Sequence, residues 1–138
     1  MNRIPSGGAT PVSLVTGDRV ARVASDSTVA DVATTIADEG VGAVVIGEQA
    51  WPTAVVTERD VVRAVAAGRD PATVRALDIA STKLVWCAAD ATVDEVAARM
   101  MDHYIRHIFV EQDGELVGIV SARDLLGVYG ANAQVTPA

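Results

Sequence analysis

The sequence predicts a mixed α/β protein of the α+β type, in which two β-α-β-β-α units pack pseudo-symmetrically through their sheets. The first observation is a gapless internal repeat: residues 12–64 align with residues 76–128. The second is that both copies show the same order of helical and extended apolar periodicities. The third is length, because 138 residues suit one domain, whereas a single copy would bury too little surface to be stable alone.

Each copy begins with a short predicted strand, residues 20–24 and 84–88, and continues with an amphipathic helix. Apolar residues fall at i, i+3, i+4, i+7 and i+8 from Val29, and the same spacing returns from Val93. Each copy therefore predicts a strand and then a helix with one buried face.

The predicted ends of these helices are also visible in the sequence. Thr28 with Asp31 predicts an N-cap followed three residues later by an acid, and the pattern returns in the second copy. Gly40 predicts the end of the first helix. Tyr104 stands at the matching place of the second helix, so we expect that helix to end differently.

A hairpin and a second helix complete each copy. The predicted strands are residues 43–46 with 53–56, and 107–110 with 116–120. Asp113-Gly114 is the stronger turn signal. Both copies end with a helix entered through Thr/Ser-x-Arg-Asp, and Asp70-Pro71 predicts the start of a linker helix.

Composition excludes several classes of protein. A formal net charge of −7 argues against a nucleic-acid surface. No stretch is long and apolar enough to suggest a membrane-spanning helix, and the amino terminus lacks the apolar core of a signal peptide. The single cysteine, Cys87, excludes an intrachain disulfide and a multi-cysteine metal site. These features fit a cytoplasmic protein.

A family resemblance rests on two matching strings, one in each copy: Thr53-Ala54-Val55-Val56-Thr57-Glu58-Arg59-Asp60 and Val117-Gly118-Ile119-Val120-Ser121-Ala122-Arg123-Asp124. In their duplicated context they resemble a tandem pair of cystathionine-β-synthase (CBS) domains, as in the small stand-alone CBS-pair proteins of bacteria. On this basis the chain divides into a flexible arm (1–11), a first repeat (12–68), a linker (69–75), a second repeat (76–130) and a flexible tail (131–138).

The resemblance implies a regulatory module without catalytic activity. Such pairs have two pseudo-symmetric clefts that commonly bind AMP, ADP, ATP or S-adenosylmethionine, and two modules often form a homodimer. No cofactor is expected to be required, and a protein partner stays unidentified.

Asp60 and Asp124 are the first candidate binding residues, because a carboxylate accepts two hydrogen bonds from a ribose diol. The resemblance implies that this Asp contacts ribose. Thr57 and Ser121 precede them by three residues, where hydroxyl and backbone N–H groups at a helix start favour phosphate. The same pattern is also an ordinary capping box. The two roles are compatible, and we favour ligand contact at one or both sites.

The positions of basic residues predict that the two clefts differ in the positive charge they offer to a phosphate. The resemblance implies that Arg106 can reach a phosphate, for which its planar fork is suited, and His107 can add charge near neutral pH. The first copy has the neutral pair Gly42-Ala43 there. For Arg106, a solvated surface role is as consistent with the sequence as contact with a phosphate. For His107 alone, a satisfied structural role is favoured. Arg59 and Arg123 are further candidates that also fit solvated helix starts.

The sequence gives weaker signals for ring stacking, metal binding and a reactive cysteine. Trp86 stands where a small hydroxylated residue is common in adenylate-binding relatives, so it stacks on adenine, blocks the cleft or, as we favour, belongs to the core. His103 and His107 are four apart, but the second begins a predicted strand, so we expect no metal site. Cys87 lies in an apolar strand and is predicted to be a core residue.

Two functions therefore compete, and no residue is predicted to be catalytic. The first is a sensor of an adenosine-containing nucleotide. The second is a dimeric interaction scaffold whose nucleotide clefts are degenerate, which Trp86 and the neutral Gly42-Ala43 pair favour. An enzyme ranks far behind both.

Overall fold

The computed structural model describes residues 7–16 and 20–134, with the side chains up to residue 130. The chain divides into two units. The first unit comprises residues 20–84, and the second unit combines the amino-terminal segment with the chain from residue 85 onward. Each unit contains one three-stranded sheet and the helices that cover it. The predicted fold class, two β-α-β-β-α repeats, is confirmed.

The first unit contains six regular elements: β1 (Arg22–Val23), α1 (Val29–Glu39), β2 (Ala43–Ile46), β3 (Val55–Thr57), α2 (Glu58–Ala66) and the short α3 (Ala76–Ile79). The sheet order is β1-β2-β3, with β1 parallel to β2 and β2 antiparallel to β3. Alternation along the strands sends Val44 and Val56 to one face, where Val32 of α1 completes the core; all three are fully buried.

The second unit repeats this order with β4 (Trp86–Ala88), α4 (Val93–His103), β5 (His107–Gln112), β6 (Glu115–Ser121) and α5 (Ala122–Gln134). The two strands of its hairpin are longer than those of the hairpin in the first unit. Asp113 and Gly114 form the two-residue turn with φ angles of 55° and 80°, the left-handed pair that such a turn requires. Val96, Ile108 and Val120 are buried between helix and sheet.

The amino-terminal segment belongs to the core of the second unit. Val12 is fully buried there, and its N–H donates to the Ala91 carbonyl at 2.7 Å. The N–H of Val93 donates to the carbonyl of Thr10 at 2.9 Å. Gly8 lies so close to the Asp94 carboxylate that a Cβ would displace it. Residues 7–11, predicted as part of a flexible arm, are thus held against α4 and α5; residues 1–6 lie outside the described chain.

The first unit has the equivalent contacts, made by residues 64 positions later. Ala76 is fully buried, and its N–H donates to the Ser27 carbonyl at 2.8 Å. The N–H of Val29 donates to the Val74 carbonyl at 2.9 Å. By sequence, residues 12–15 open the first repeat and residues 76–79 open the second. In the structure each opening segment completes the core of the unit formed by the other repeat.

Both long amphipathic helices end in the same way, against expectation. Gly40 ends α1 with φ 66° and ψ 32°, as predicted. Tyr104 ends α4 with φ 54° and ψ 42°, so the different exit that we expected is wrong. A tyrosine in this left-handed conformation is strained, since its Cβ approaches the carbonyl oxygen. Its side chain is 94% exposed and therefore receives no compensation from packing in the described chain.

Replacing Tyr104 by Gly should raise the free energy of unfolding by about 1 kcal/mol, because glycine adopts this conformation without strain. Ala98→Gly is the matched control. It lies in the same helix, is exposed, and should lower stability by about 1 kcal/mol. Urea unfolding followed by circular dichroism measures both. A Tyr104→Gly protein less stable than the parent would contradict this assignment of strain.

Two further boundaries are corrected. Asp70-Pro71 does not start a helix: Asp70 accepts hydrogen bonds from the N–H groups of Ala72, Thr73 and Val74 in an isolated turn. The chain then becomes extended at Arg75, which forms a β-bridge with Thr28. At the other end α5 continues to Gln134, so residues 131–134 of the predicted flexible tail are helical; residues 135–138 lie outside the described chain.

Candidate functional site

Each unit has a corner at which the last strand runs directly into the last helix. In the first unit β3 ends at Thr57 and α2 begins at the next residue; in the second, β6 ends at Ser121 and α5 begins. The first N–H of each helix donates to the residue just before the neighbouring strand: Glu58 to the Gly42 carbonyl at 3.0 Å, and Ala122 to the Arg106 carbonyl at 2.8 Å. This bond holds the start of the neighbouring strand against the start of the helix.

The two candidate aspartates close capping boxes at these corners. Asp60 Oδ2 accepts from the Thr57 N–H at 2.9 Å and from the Thr57 hydroxyl at 3.0 Å. Asp124 Oδ2 accepts from the Ser121 N–H at 2.8 Å. In return, the hydroxyl groups accept the aspartate N–H groups at 3.3 and 3.1 Å. All four residues are half-buried, so the carboxylates are fixed in position and partly accessible.

The capping boxes have a purely structural explanation as well. The amphipathic helices use the same device, with Thr28 and Asp31 at α1 and Thr92 and Glu95 at α4. Asp31 is exposed and lies outside the two corners. A capping box alone is therefore not a mark of binding in this chain. What distinguishes Asp60 and Asp124 is their partial burial at equivalent corners.

The second corner brings its predicted residues together. His107 pairs with Ser121 in the β5–β6 register, and the Arg106 carbonyl contacts the start of α5. Arg106 and Arg123 are exposed, whereas His107 is half-buried. At the first corner Ala43 occupies the place of His107, opposite Thr57, and Arg59 is exposed on α2. Ala43 and His107 thus occupy equivalent positions opposite the residue that precedes each final helix.

Sequence analysis missed a groove of about 280 Å³ in the first unit. It lies along α2 near the end of α3, and its lining consists of Asp60, Arg63, Ala64, Ala67, Arg69 and Ile79. One signal was available: Asp60, Ala64 and Ala67 share one helix face by their spacing. The contribution of Arg69 was not visible, since it depends on how the chain turns after α2.

Arg22 and Trp86 occupy matching positions on β1 and β4 and have different roles. The Arg22 guanidinium donates to the carbonyls of Gly47 and Gln49, both at 3.0 Å, and so holds the first hairpin turn. The Trp86 ring meets the buried Phe109 edge-to-face, with centroids 5.1 Å apart. Trp86 is half-buried and is not one of the buried core residues, so it packs at the edge of the core rather than within it, as we had favoured.

Cys87 has no features of a nucleophile. It is buried, and burial raises the pKa of its thiol from 9.0 to about 11, with the nearby Arg99 lowering it and Glu111 raising it. The thiol is therefore neutral near pH 7, which agrees with the predicted core role.

The contribution of Cys87 to stability should therefore change with pH only at high pH. The folded state holds this proton up to about pH 11, whereas the unfolded chain releases it near 9.0. The contribution is complete below about pH 9 and is lost as the pH rises towards about 11. The stability difference between the parent and Cys87→Ala should shrink between about pH 8 and about pH 10.5, as measured by urea unfolding. A difference that stays constant would contradict the raised pKa.

Metal and membrane features are missing from the described part of the chain. Within residues 7–16 and 20–134, no cluster of three or more His, Cys, Asp or Glu side chains could hold a metal ion. His103 ends α4 and His107 begins β5, so they do not share a helix face. Among the same residues, none of the helices has the length and apolar character needed to cross a membrane.

Comparison with known families identifies the CBS domain. The profile of the CBS domain matches residues 14–67 and 76–131. Protein MK0525 of Methanopyrus kandleri is 36% identical over 104 residues, which are 73% of this chain and 53% of that protein. The CBS domain-containing protein YhcV of Bacillus subtilis is 32% identical over 78% of this chain and 76% of its own length. The chain thus spans about half of MK0525 and three quarters of YhcV.

Solved structures show the same fold. A protein with CBS domains from Burkholderia ambifaria superimposes with a TM-score of 0.83 at 28% identity, covering 94% of this chain and all of that chain. The CBS domain protein PAE2072 from Pyrobaculum aerophilum, complexed with AMP, has a TM-score of 0.78 at 32% identity and covers 91% of this chain and all of its own. The CBS domain pair of MJ0100, in complex with 5′-methylthioadenosine and S-adenosylmethionine, has a TM-score of 0.78 at 20% identity over 89% of this chain and 98% of its own.

Proposed function

The chain belongs to the CBS-domain family, and from this premise we propose that it is a non-catalytic regulatory module that binds an adenosine-containing nucleotide. The observation that carries the proposal is the pair of equivalent corners, each with a half-buried aspartate fixed at a helix start. The AMP complex of PAE2072, a protein 32% identical to this chain, supports the choice of ligand.

The chemistry of each corner suits a nucleoside phosphate. The carboxylates of Asp60 and Asp124 have lone pairs beyond those used in the capping boxes, and these can accept the two hydroxyl protons of a ribose. The hydroxyl groups of Thr57 and Ser121 lie at helix N-termini, where the positive end of the helix dipole favours phosphate. At the second corner, the guanidinium groups of Arg106 and Arg123 add positive charge.

Regulation follows from a difference in affinity between two states of the protein. A nucleotide shifts a conformational equilibrium only if it binds one state more tightly than the other. We propose that the module responds in this way, as a cytoplasmic homodimer. The exposed apolar side chains Val62 and Val65 of α2 and Leu126 of α5 support a protein contact. Light scattering at two protein concentrations measures the oligomeric state.

A dimeric interaction scaffold is the second candidate function. Two observations favour it: the aspartates have sufficient explanation as capping residues, and the Gly42-Ala43 pair leaves the first corner without a basic residue at those positions. On this account the protein surface, rather than a nucleotide, carries the function.

Isothermal titration calorimetry distinguishes the two candidates. The full chain is titrated with AMP, ADP, ATP, S-adenosylmethionine and NAD, and with adenosine as the uncharged reference. Saturable binding of at least one charged adenosine compound is expected. If a folded protein releases no heat with any of them, the sensor proposal is wrong and the scaffold is favoured.

A further inference from the structure

We propose that the groove beside α2 is a phosphate subsite, in which Arg63 and Arg69 bind the phosphate of a nucleotide whose ribose is held by Asp60. This inference rests on the proposed function and assigns the first unit its own source of positive charge. The groove is formed entirely by residues of the first unit. Neither arginine belongs to the strand start, where the sequence places the basic residues of the second copy.

The position of Arg63 follows from helix geometry. It stands three residues after Asp60 on α2, so the two side chains are neighbours about 5–6 Å apart at Cβ. Both line the groove. The 5′-phosphate of a ribose at Asp60 can reach either the helix start at Thr57 or, along α2, the next charged residue, Arg63. In the first unit the groove places two basic residues on the second path, whereas the neighbouring strand start offers only Gly42 and Ala43.

Arg69 reaches the groove because the chain reverses at the end of α2. Gly68 has a φ of 79°; its N–H donates to the Val65 carbonyl, and the Arg69 N–H donates to the Ala64 carbonyl, both at 3.0 Å. These two bonds form a Schellman motif, which folds the chain back over the last helical turn. Arg69 therefore lines the same groove as Arg63.

Charge and shape both favour an anion. Two arginines and one aspartate line the groove, in a chain whose formal net charge is −7. The planar fork of arginine matches phosphate oxygens. The groove is shallow and open to solvent, and the short side chains of Ala64 and Ala67 line its volume of about 280 Å³. The space suits a ribose phosphate better than a whole dinucleotide.

A structural role for Arg63 is the competing explanation. It lies in the last turn of α2, where a cation interacts favourably with the helix dipole. Such a role predicts lower stability on substitution, with no change in affinity for a nucleotide. Binding and stability therefore separate the two explanations.

The test uses the full chain with Asp124→Ala, which leaves only the first corner intact, and compares AMP with adenosine by calorimetry. In this background, the double substitution Arg63→Gln and Arg69→Gln should weaken AMP binding about tenfold or more. It should leave the affinity for adenosine unchanged. Arg75→Gln is the matched control, because Arg75 is exposed in the same unit and lies outside the groove; it should change neither. Ala67→Leu, which fills the groove without altering charge, should also weaken AMP binding.

The outcomes separate the inference from the function on which it rests. AMP binding that survives the double Gln substitution, or that falls equally with Arg75→Gln, overturns the phosphate subsite alone. If neither AMP nor adenosine binds the Asp124→Ala protein while the parent chain binds AMP, the first unit has no site and the inference is wrong. If the parent chain binds none of the adenosine compounds, the proposed function fails, and the inference fails with it.

Discussion

Replacing Val12 by Asp should lower the free energy of unfolding by about 3–5 kcal/mol, since it places a carboxyl group without a partner in the apolar core of the second unit. Val12 is fully buried among Val93, Ile108 and Val120. From the sequence alone it belongs to the opening of the first repeat, next to a predicted flexible arm. A large effect at this position would thus show that the amino-terminal segment is part of the folded core.

Leu14→Asp is the matched control for this prediction. Leu14 lies two residues later in the same 3-10 helix, Val12–Leu14, and is 74% exposed, so the substitution should change stability by less than about 0.5 kcal/mol. Urea unfolding of both proteins measures the difference. If Val12→Asp does not fold, Val12→Ala should still cost about 1–3 kcal/mol. Equal stability of the Val12 and Leu14 variants would contradict the packing of this segment.

Replacing Asp60 and Asp124 together by Ala should weaken AMP binding about 100-fold or more, because each change removes a charged acceptor of two hydrogen bonds. The same changes remove the carboxylate half of two capping boxes, at a cost of about 0.5–1.5 kcal/mol each. Calorimetry measures the affinity, and urea unfolding confirms that the double variant is folded under the titration conditions.

The capping box at α1 supplies the matched control. Asp31→Ala removes the hydrogen bond that the Asp31 carboxylate accepts from the Thr28 N–H, at an exposed position outside both corners. It should cost a similar free energy and leave AMP binding unchanged. Loss of affinity in Asp31→Ala, or full affinity in the double variant, would mean that the corner aspartates act only as caps.

Local signals were sufficient for most of the fold. Capping boxes such as Thr28 with Asp31 and the Asp113-Gly114 turn depend on neighbours within a few residues, and the structure has them where the sequence predicts them. The exit at Tyr104 was missed because propensity argues against a tyrosine with positive φ, whereas the fold requires the same turn in both units.

Non-local features could not be predicted in the same way. The repeat alignment places Val12 and Ala76 at the openings of their own repeats, and nothing local shows that each completes the core of the other unit. The candidate site also has one part that the sequence predicts and one part that it does not. The aspartates follow from the Thr/Ser-x-Arg-Asp pattern, but the groove depends on the chain reversal after Gly68 that brings Arg69 beside Arg63.

The most direct test of the central claim is a crystal structure of the full chain grown with AMP. We expect the ribose hydroxyl oxygens to lie about 2.5–3.0 Å from a carboxylate oxygen of Asp60 or Asp124. AMP bound elsewhere, with both carboxylates contacting only their own capping residues, would contradict the account.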